Sequence, residues 1–298
     1  MKKVILFFIV IVSIGQAFGQ NYIDLVKFDY AASSPSSYDT TAAEVNLREM
    51  NGDFTLPIVI NEKATILTGL TYEYTQGSFN PFRDKESVTG ITLKLGTNIK
   101  HSDKWSGTYI LLPKVSSDLK KFGKDDFQIG GVALMKYIKS DRLNYKFGLY
   151  ANTELFSTFL VPILGFHYLS PSEKFEAKVL LPLAVDLNYS LSDKIRVGFN
   201  FKGQVRTYNL NEPLFNENDR YLARSTNDLY TYLQYSLKSG INLQLGVGRS
   251  VARSYRIYNE TVDFAMPLVY FGNERSQLNA DFSDSWLFKV SAFYRLDF

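Results

Sequence analysis

Two histidines, one contiguous His101-Ser102-Asp103 and a recurring set of basic residues are the groups in this 298-residue chain that could do chemistry. Acyl transfer needs a nucleophile, a base and an orienting acid that converge from separate elements. His101, Ser102 and Asp103 are neighbours along the chain, so they read as a solvated turn. His167, between Phe166 and Tyr168, reads as a wall residue near the end of a strand; as a base it would need Ser157 or Ser170 beside it. Gly246-Val247-Gly248 and Gly130-Gly131 lack the following helix that a phosphate-cradling loop requires. With no Cys in the chain, thiol catalysis, disulfides and thiolate metal sites are excluded, and no ligand spacing for a metal is visible. No catalytic residue, metal or cofactor is therefore assigned.

The basic residues are patterned. Arg196, Lys202 and Arg206 alternate with Ile195, Val197, Phe199, Phe201 and Val205. Lys146 alternates with Leu143, Tyr145, Phe147 and Leu149, and Lys94 with Ile91, Leu93 and Leu95. A period of two puts one set on each face of a β-strand. Lys136, Lys178, Lys289 and Arg295 join the polar face by the same count, against Glu73, Glu176, Asp186 and Asp297. The final fourteen residues show the pattern most cleanly. Trp286, Phe288, Val290, Ala292, Tyr294, Leu296 and Phe298 form an apolar face, and Lys289, Ser291, Arg295 and Asp297 lie opposite. One oily face and one charged face are what a strand between lipid and a lumen needs.

Short polar clusters separate these runs: Asn61-Glu62-Lys63, Ser102-Asp103-Lys104, Ser140-Asp141, Ser172-Glu173-Lys174, Ser192-Asp193 and Ser239-Gly240. Longer polar connections cover residues 77–86, 116–125, 210–223 and 254–284. Tight turns at one end and long loops at the other mark a membrane barrel. The stretch 174–191 should hold two short strands broken near Pro182. Residues 43–60 form one strand, or two joined at Asn51-Gly52, a strong hairpin dipeptide, and residues 22–30 add another. Pro57, Pro113, Pro162 and Pro182, lacking an amide donor, should sit at strand ends, bulges or bends. The 20 Tyr and 23 Phe favour sheet. The predicted fold is an all-β, antiparallel up-and-down transmembrane β-barrel of 14 strands, with 12 as the alternative.

Residues 1–19 read as a cleaved secretory signal peptide: Lys2 and Lys3, an apolar run over 4–14, and the small residues Ala17 and Gly19. Residues 20–298 are then one barrel domain, placed in the outer membrane of a Gram-negative bacterium. Removal of Lys2 and Lys3 leaves 31 Lys and Arg against 30 Asp and Glu, so no broad positive field exists to attract nucleic acid.

The pattern resembles bacterial outer-membrane β-barrels that end in an aromatic residue recognised by the barrel assembly machinery. The stretch Pro162-Ile163-Leu164-Gly165-Phe166-His167-Tyr168, with Leu180-Leu181-Pro182 and Val185-Asp186-Leu187-Asn188-Tyr189, resembles a family of such barrels known as a domain of unknown function. That resemblance implies the fold and outer-membrane lipid as surroundings; it brings no activity and no functional residues. It also implies that Trp286, Phe288, Tyr294, Leu296 and Phe298 form the assembly signal. Deleting Phe298 should lower the amount of heat-modifiable barrel in the membrane, and unchanged abundance would refute it.

Three functions stay open. The first is a pore for small solutes, with the long loops as constriction and Lys94, Lys146, Arg196, Lys202, Arg206, Lys289 and Arg295 either giving the lumen an anionic preference or pairing with one another and with acidic loop residues to plug a narrow barrel. The second is a lipid-edge enzyme or lipid transporter, using His167 or a lateral gap at a proline-bent strand. The third is a structural barrel whose loops bind a partner.

Overall fold

The computed structural model describes residues 22–79, 85–211 and 220–297. The proposed signal peptide and Phe298 lie outside the described residues.

Fourteen strands close a ring, each antiparallel to its neighbours in sequence order. They are β1 (Tyr22–Ser33), β2 (Arg48–Asn61), β3 (Ala64–Gly77), β4 (Glu86–Lys100), β5 (Trp105–Ser117), β6 (Phe127–Ser140) and β7 (Leu143–Glu154). They continue as β8 (Ser157–Leu169), β9 (Phe175–Leu181), β10 (Ala184–Ser190), β11 (Ile195–Leu210), β12 (Arg220–Ser236), β13 (Ile241–Ser250) and β14 (Trp286–Asp297). The ring closes where β1 pairs with β14, from Tyr22↔Asp297 to Ser33↔Leu287. Among the described residues the helical element is one 3-10 turn, Lys124–Asp126.

Alternation settles the faces. Phe28, Leu70, Leu93, Leu111, Phe147, Phe199, Leu245 and Phe288 are exposed, whereas the intervening Asp29, Glu73, Lys94, Lys114, Lys146 and Lys289 point inward. The outward residues form the lipid-facing band that no water-soluble sheet could leave uncovered. Trp286, Phe288 and Tyr294 lie on it, 52%, 53% and 40% exposed, and Leu296 falls on the same face in register.

Asn51-Gly52 does not turn the chain. Both residues sit in the middle of β2, paired with β1 (Phe28↔Gly52) and with β3 (Gly52↔Tyr72). Two ladders outweigh the local preference of one dipeptide. The break at Pro182 is where the pattern predicts it, between β9 and β10. Pro57, Pro113 and Pro162 lie inside strands, contrary to expectation for strand ends or bends. Each occupies a stretch bonded on one side only: the β1–β2 ladder stops at Phe54, the β4–β5 ladder skips Leu112 and Pro113, and the β8–β9 ladder starts at Leu164. A missing amide donor costs nothing where no acceptor faces it.

The six tight turns named from sequence all lie at one end. At the other, residues 155–156 and 182–183 also make short turns, so long loops do not alternate strictly with tight ones. Of the long connections, residues 251–285 contain a strand, Ser254–Tyr258, that extends the sheet along β12 (Tyr221↔Tyr258). A hairpin follows, Phe264–Met266 against Val269–Phe271.

A single departure from a regular cylinder shapes the interior. The ladder between β10 and β11 ends at Ala184↔Lys202. Beyond it, residues 203–210 of β11 lean inward across the mouth. Asn209 bridges Ser117 of β5 in parallel, Ser116 Oγ donates to the Thr207 carbonyl at 2.7 Å, and the Leu155 amide donates to Thr207 Oγ1 at 2.8 Å. A buried cluster containing Phe79, Val88, Tyr208, Leu222, Tyr255 and Phe282 fills the space above.

Candidate functional site: a charged lumen

A ring of eight strands is filled by its own side chains, and one of sixteen to eighteen leaves an aqueous channel. Fourteen strands leave room that must be filled or wetted. Here the lumen is crossed at two levels, and between them Lys202 stays exposed.

The outer crossing is made by the bent part of β11. Arg206 Nε donates to Glu73 Oε2 at 3.3 Å, and Gln204 Nε2 donates to Glu73 Oε1. Glu73 lies on β3, nearly opposite β11 in the ring, so these bonds span the barrel. Glu154, at the end of β7, accepts from the Thr207 amide at 2.8 Å and from Thr207 Oγ1 at 2.6 Å. It also faces Lys114 Nζ at 3.5 Å. Thr207 is 0% exposed, and Lys114 and Glu154 are each 5% exposed. The constriction is therefore made by a barrel strand as well as by the long connections, whose Phe79, Tyr255, Ile257 and Phe282 join the buried cluster above it.

The inner crossing, toward the tight-turn end, centres on Tyr22 of β1. Its hydroxyl donates to Glu176 Oε2 on β9 at 2.8 Å, again from a nearly opposite strand. Lys178 Nζ lies 4.3 Å from the Tyr22 ring centroid and the Arg295 guanidinium 3.6 Å from it. Arg295 is held by Asp24 in a two-pronged bond of 2.7 and 3.1 Å. Arg196 Nη1 reaches Glu176 at 3.9 Å.

Of the nine basic residues that alternation assigns to the lumen, the seven taken to set its anion preference face inward, but they do not form one constriction. Arg196, Lys202 and Arg206 share one face of β11 and span roughly 34 Å at about 3.4 Å per residue. Arg206 belongs to the outer crossing, and Arg196 and Arg295 to the inner one. Lys94 is neutralised by Asp53 at 2.5 Å and donates to Thr55 Oγ1 at 2.8 Å. Lys289 lies 4.3 Å from the Tyr230 ring centroid. Among the described residues no carboxylate comes within 4.0 Å of Lys146, Lys202 or Lys289.

The inward face also carries acids that alternation missed: Asp24, Asp29, Glu49, Asp53, Glu154 and Asp228. Lys27, Lys114 and Arg224 also face inward and pair with Asp29, Glu154 and Glu49, so much of the lining charge is matched internally. Arg224 Nη2 donates to Glu49 Oε1 at 2.7 Å.

The histidines assemble no catalytic group. His101 Nε2 and the Tyr109 hydroxyl are 3.2 Å apart, Ser102 Oγ accepts from the Trp105 amide, and Asp103 Oδ1 meets Lys100 Nζ at 3.0 Å. That lysine hydrogen bond holds the Asp103 carboxyl below the usual carboxylate range. His167 is buried and faces the lumen, with Nε2 3.0 Å from Glu176 Oε1 and Nδ1 3.5 Å from Asn144 Nδ2. It does not reach the lipid edge. Ser157 stands at the other end of β8, and Ser170 Oγ accepts from the Phe175 amide at 3.0 Å. Among the described residues no cluster of acidic and histidine side chains could hold a metal ion.

No curated protein matches the chain. Solved structures with a similar course of the chain include the COG4313 outer membrane channel from Pseudomonas putida F1. It is 7% identical, with a TM-score of 0.47, covering 95% of this chain and 98% of that one. The toluene transporter TodX of Pseudomonas putida is 8% identical with a TM-score of 0.37, covering 95% and 90%. The NanC porin is 8% identical with a TM-score of 0.34, covering 90% and 100%. Residues 15–290 match a family described as Domain of unknown function (DUF6268). The chain belongs to that family, whose fold is here a closed fourteen-stranded membrane barrel.

Proposed function

We propose that this protein is an outer-membrane channel for small polar solutes with a mild preference for anions, closed in the described state by the two crossings of its lumen. The observation that carries this reading is the stretch of lumen between the crossings, where Lys202 and Lys289 face inward with no carboxylate within 4.0 Å among the described residues. An ammonium group without a carboxylate partner needs water, because an isolated charge in a dry interior is strongly disfavoured. A barrel built only as a scaffold would gain nothing from keeping that chamber wet. Lining charges set ion preference in a wet pore, and their reach is limited to about 8 Å at physiological salt, so the chamber lysines matter more than the paired arginines at its ends.

The test is conductance of the purified full chain in planar bilayers. The double change Lys202→Gln with Lys289→Gln should lower the chloride-over-potassium permeability ratio. An unmoved reversal potential removes these lysines from the mechanism. Heat-modifiable, folded protein that carries no current at any applied voltage ends the channel reading. The sealed outer half with its buried aromatic cluster would then favour a barrel whose loops engage a partner.

A further inference from the structure

We propose that a notch in the barrel wall is a binding site for a small amphipathic anion, an apolar body ending in one carboxylate. This goes beyond the channel reading and does not depend on conduction. The notch exists because β9 and β10 run only seven residues each, whereas β8 runs 13 and β11 runs 16. Residues 157–163 of β8 therefore rise past the last β9 neighbour, and β11 leans away from them into the lumen.

A cavity of about 450 Å³ remains between the two, within the usual size of small-molecule sites. Leu181, Pro182 and Leu183 form its floor, Phe159 and Val161 of β8 one wall, and Phe201 and Val205 of β11 another. The roof is the hairpin from Phe264 to Phe271, held to β8 through a parallel bridge, Phe159↔Ala265. Leu268 at its tip is 95% exposed.

The charge comes from Arg275, which lines the cavity. Its guanidinium lies 4.3 Å from the ring centroid of Tyr258, 4.8 Å from Tyr270 and 5.6 Å from Phe156, positions that fix a cation on aromatic faces. It donates from Nε to Asn273 Oδ1 at 2.8 Å and from Nη1 to the Tyr221 hydroxyl at 3.3 Å. Among the described residues no carboxylate lies within 4.0 Å of it. A guanidinium has five donor hydrogens, so donors remain for an incoming anion. The two other arginines lining the cavity are different: Asp281 engages Arg256 at Nε, 2.9 Å, and at Nη2, 2.6 Å, and Glu49 accepts from Arg224 Nη2 at 2.7 Å. An apolar cavity with one fixed cation without a carboxylate partner selects an apolar molecule with a single negative end.

The test compares 4-phenylbutyrate with 4-phenylbutanol by isothermal titration calorimetry on the folded, detergent-purified chain. The acid should bind about tenfold more tightly than the alcohol, the size of one charge-assisted hydrogen bond. Arg275→Gln should bring the two to near parity, and Arg275→Lys should keep the preference. Val161→Trp, which fills the cavity from β8, should abolish binding of both. Heat-modifiable migration on gels identifies variants that have folded. Equal affinity for acid and alcohol in the native chain overturns the proposal, and so does binding that survives Val161→Trp. A barrel that binds the acid as described but conducts nothing removes the channel reading and leaves this site standing.

Discussion

Replacing Glu154 by Leu lowers the stability of the barrel by about 3–5 kcal/mol, the usual cost of removing one partner from a buried ion pair. Glu154 is 5% exposed and faces Lys114 Nζ at 3.5 Å. It also takes the Thr207 amide and hydroxyl, at 2.8 and 2.6 Å. Leucine leaves a buried ammonium without its counter-charge and an amide without its acceptor. The two losses separate in a second variant. Adding Lys114→Met to Glu154→Leu removes the stranded charge, so most of the loss returns and about 1–3 kcal/mol remains for the unsatisfied amide. Unfolding midpoints in lipid vesicles read both variants. A single variant no less stable than the double would show that the pair does not hold the bent strand.

The second large effect concerns the lipid face. Phe199 sits near the middle of β11, 39% exposed, between Leu187 of β10 and Thr231 of β12. Phe199→Arg puts a charge into hydrocarbon and should cost about 2–4 kcal/mol. Lys202→Gln lies three residues away on the opposite, watered face and should cost less than about 1 kcal/mol. Equal midpoints for the two would mean that the faces of β11 are assigned the wrong way round.

That assignment was legible because a two-residue period carries its own proof. Ile195, Val197, Phe199 and Phe201 against Arg196, Asn200 and Lys202 admit one orientation between lipid and lumen. The split at Pro182 was legible for a similarly local reason, since both flanking turns must face the same end. The inward bend of β11 was not. Gln204 and Arg206 keep the same alternation whether the strand stands upright or leans across the mouth; what bends it is the absence of a partner beyond Lys202 and the presence of Glu73 and Glu154 far away in sequence. The lumen acids were hidden for other reasons. Glu49 and Asp53 flank a dipeptide that looked like a turn. Asp228 shares its face with Tyr230 and Tyr232, so that face did not look polar. Arg275 carries no period at all, because it belongs to a loop whose shape is set by the rings it rests on.

The seam between β1 and β14 has a consequence for how the molecule comes into being. The strand that completes the ring leaves the ribosome after the thirteen other barrel strands, and its partner is the first of them. Until β14 arrives, every partial sheet exposes two unpaired edges, each a template for joining the wrong chain. Bringing ends so distant in sequence together also makes ring closure a slow, non-local step. Closure is therefore a single late event that a chain interrupted before Trp286 can never reach.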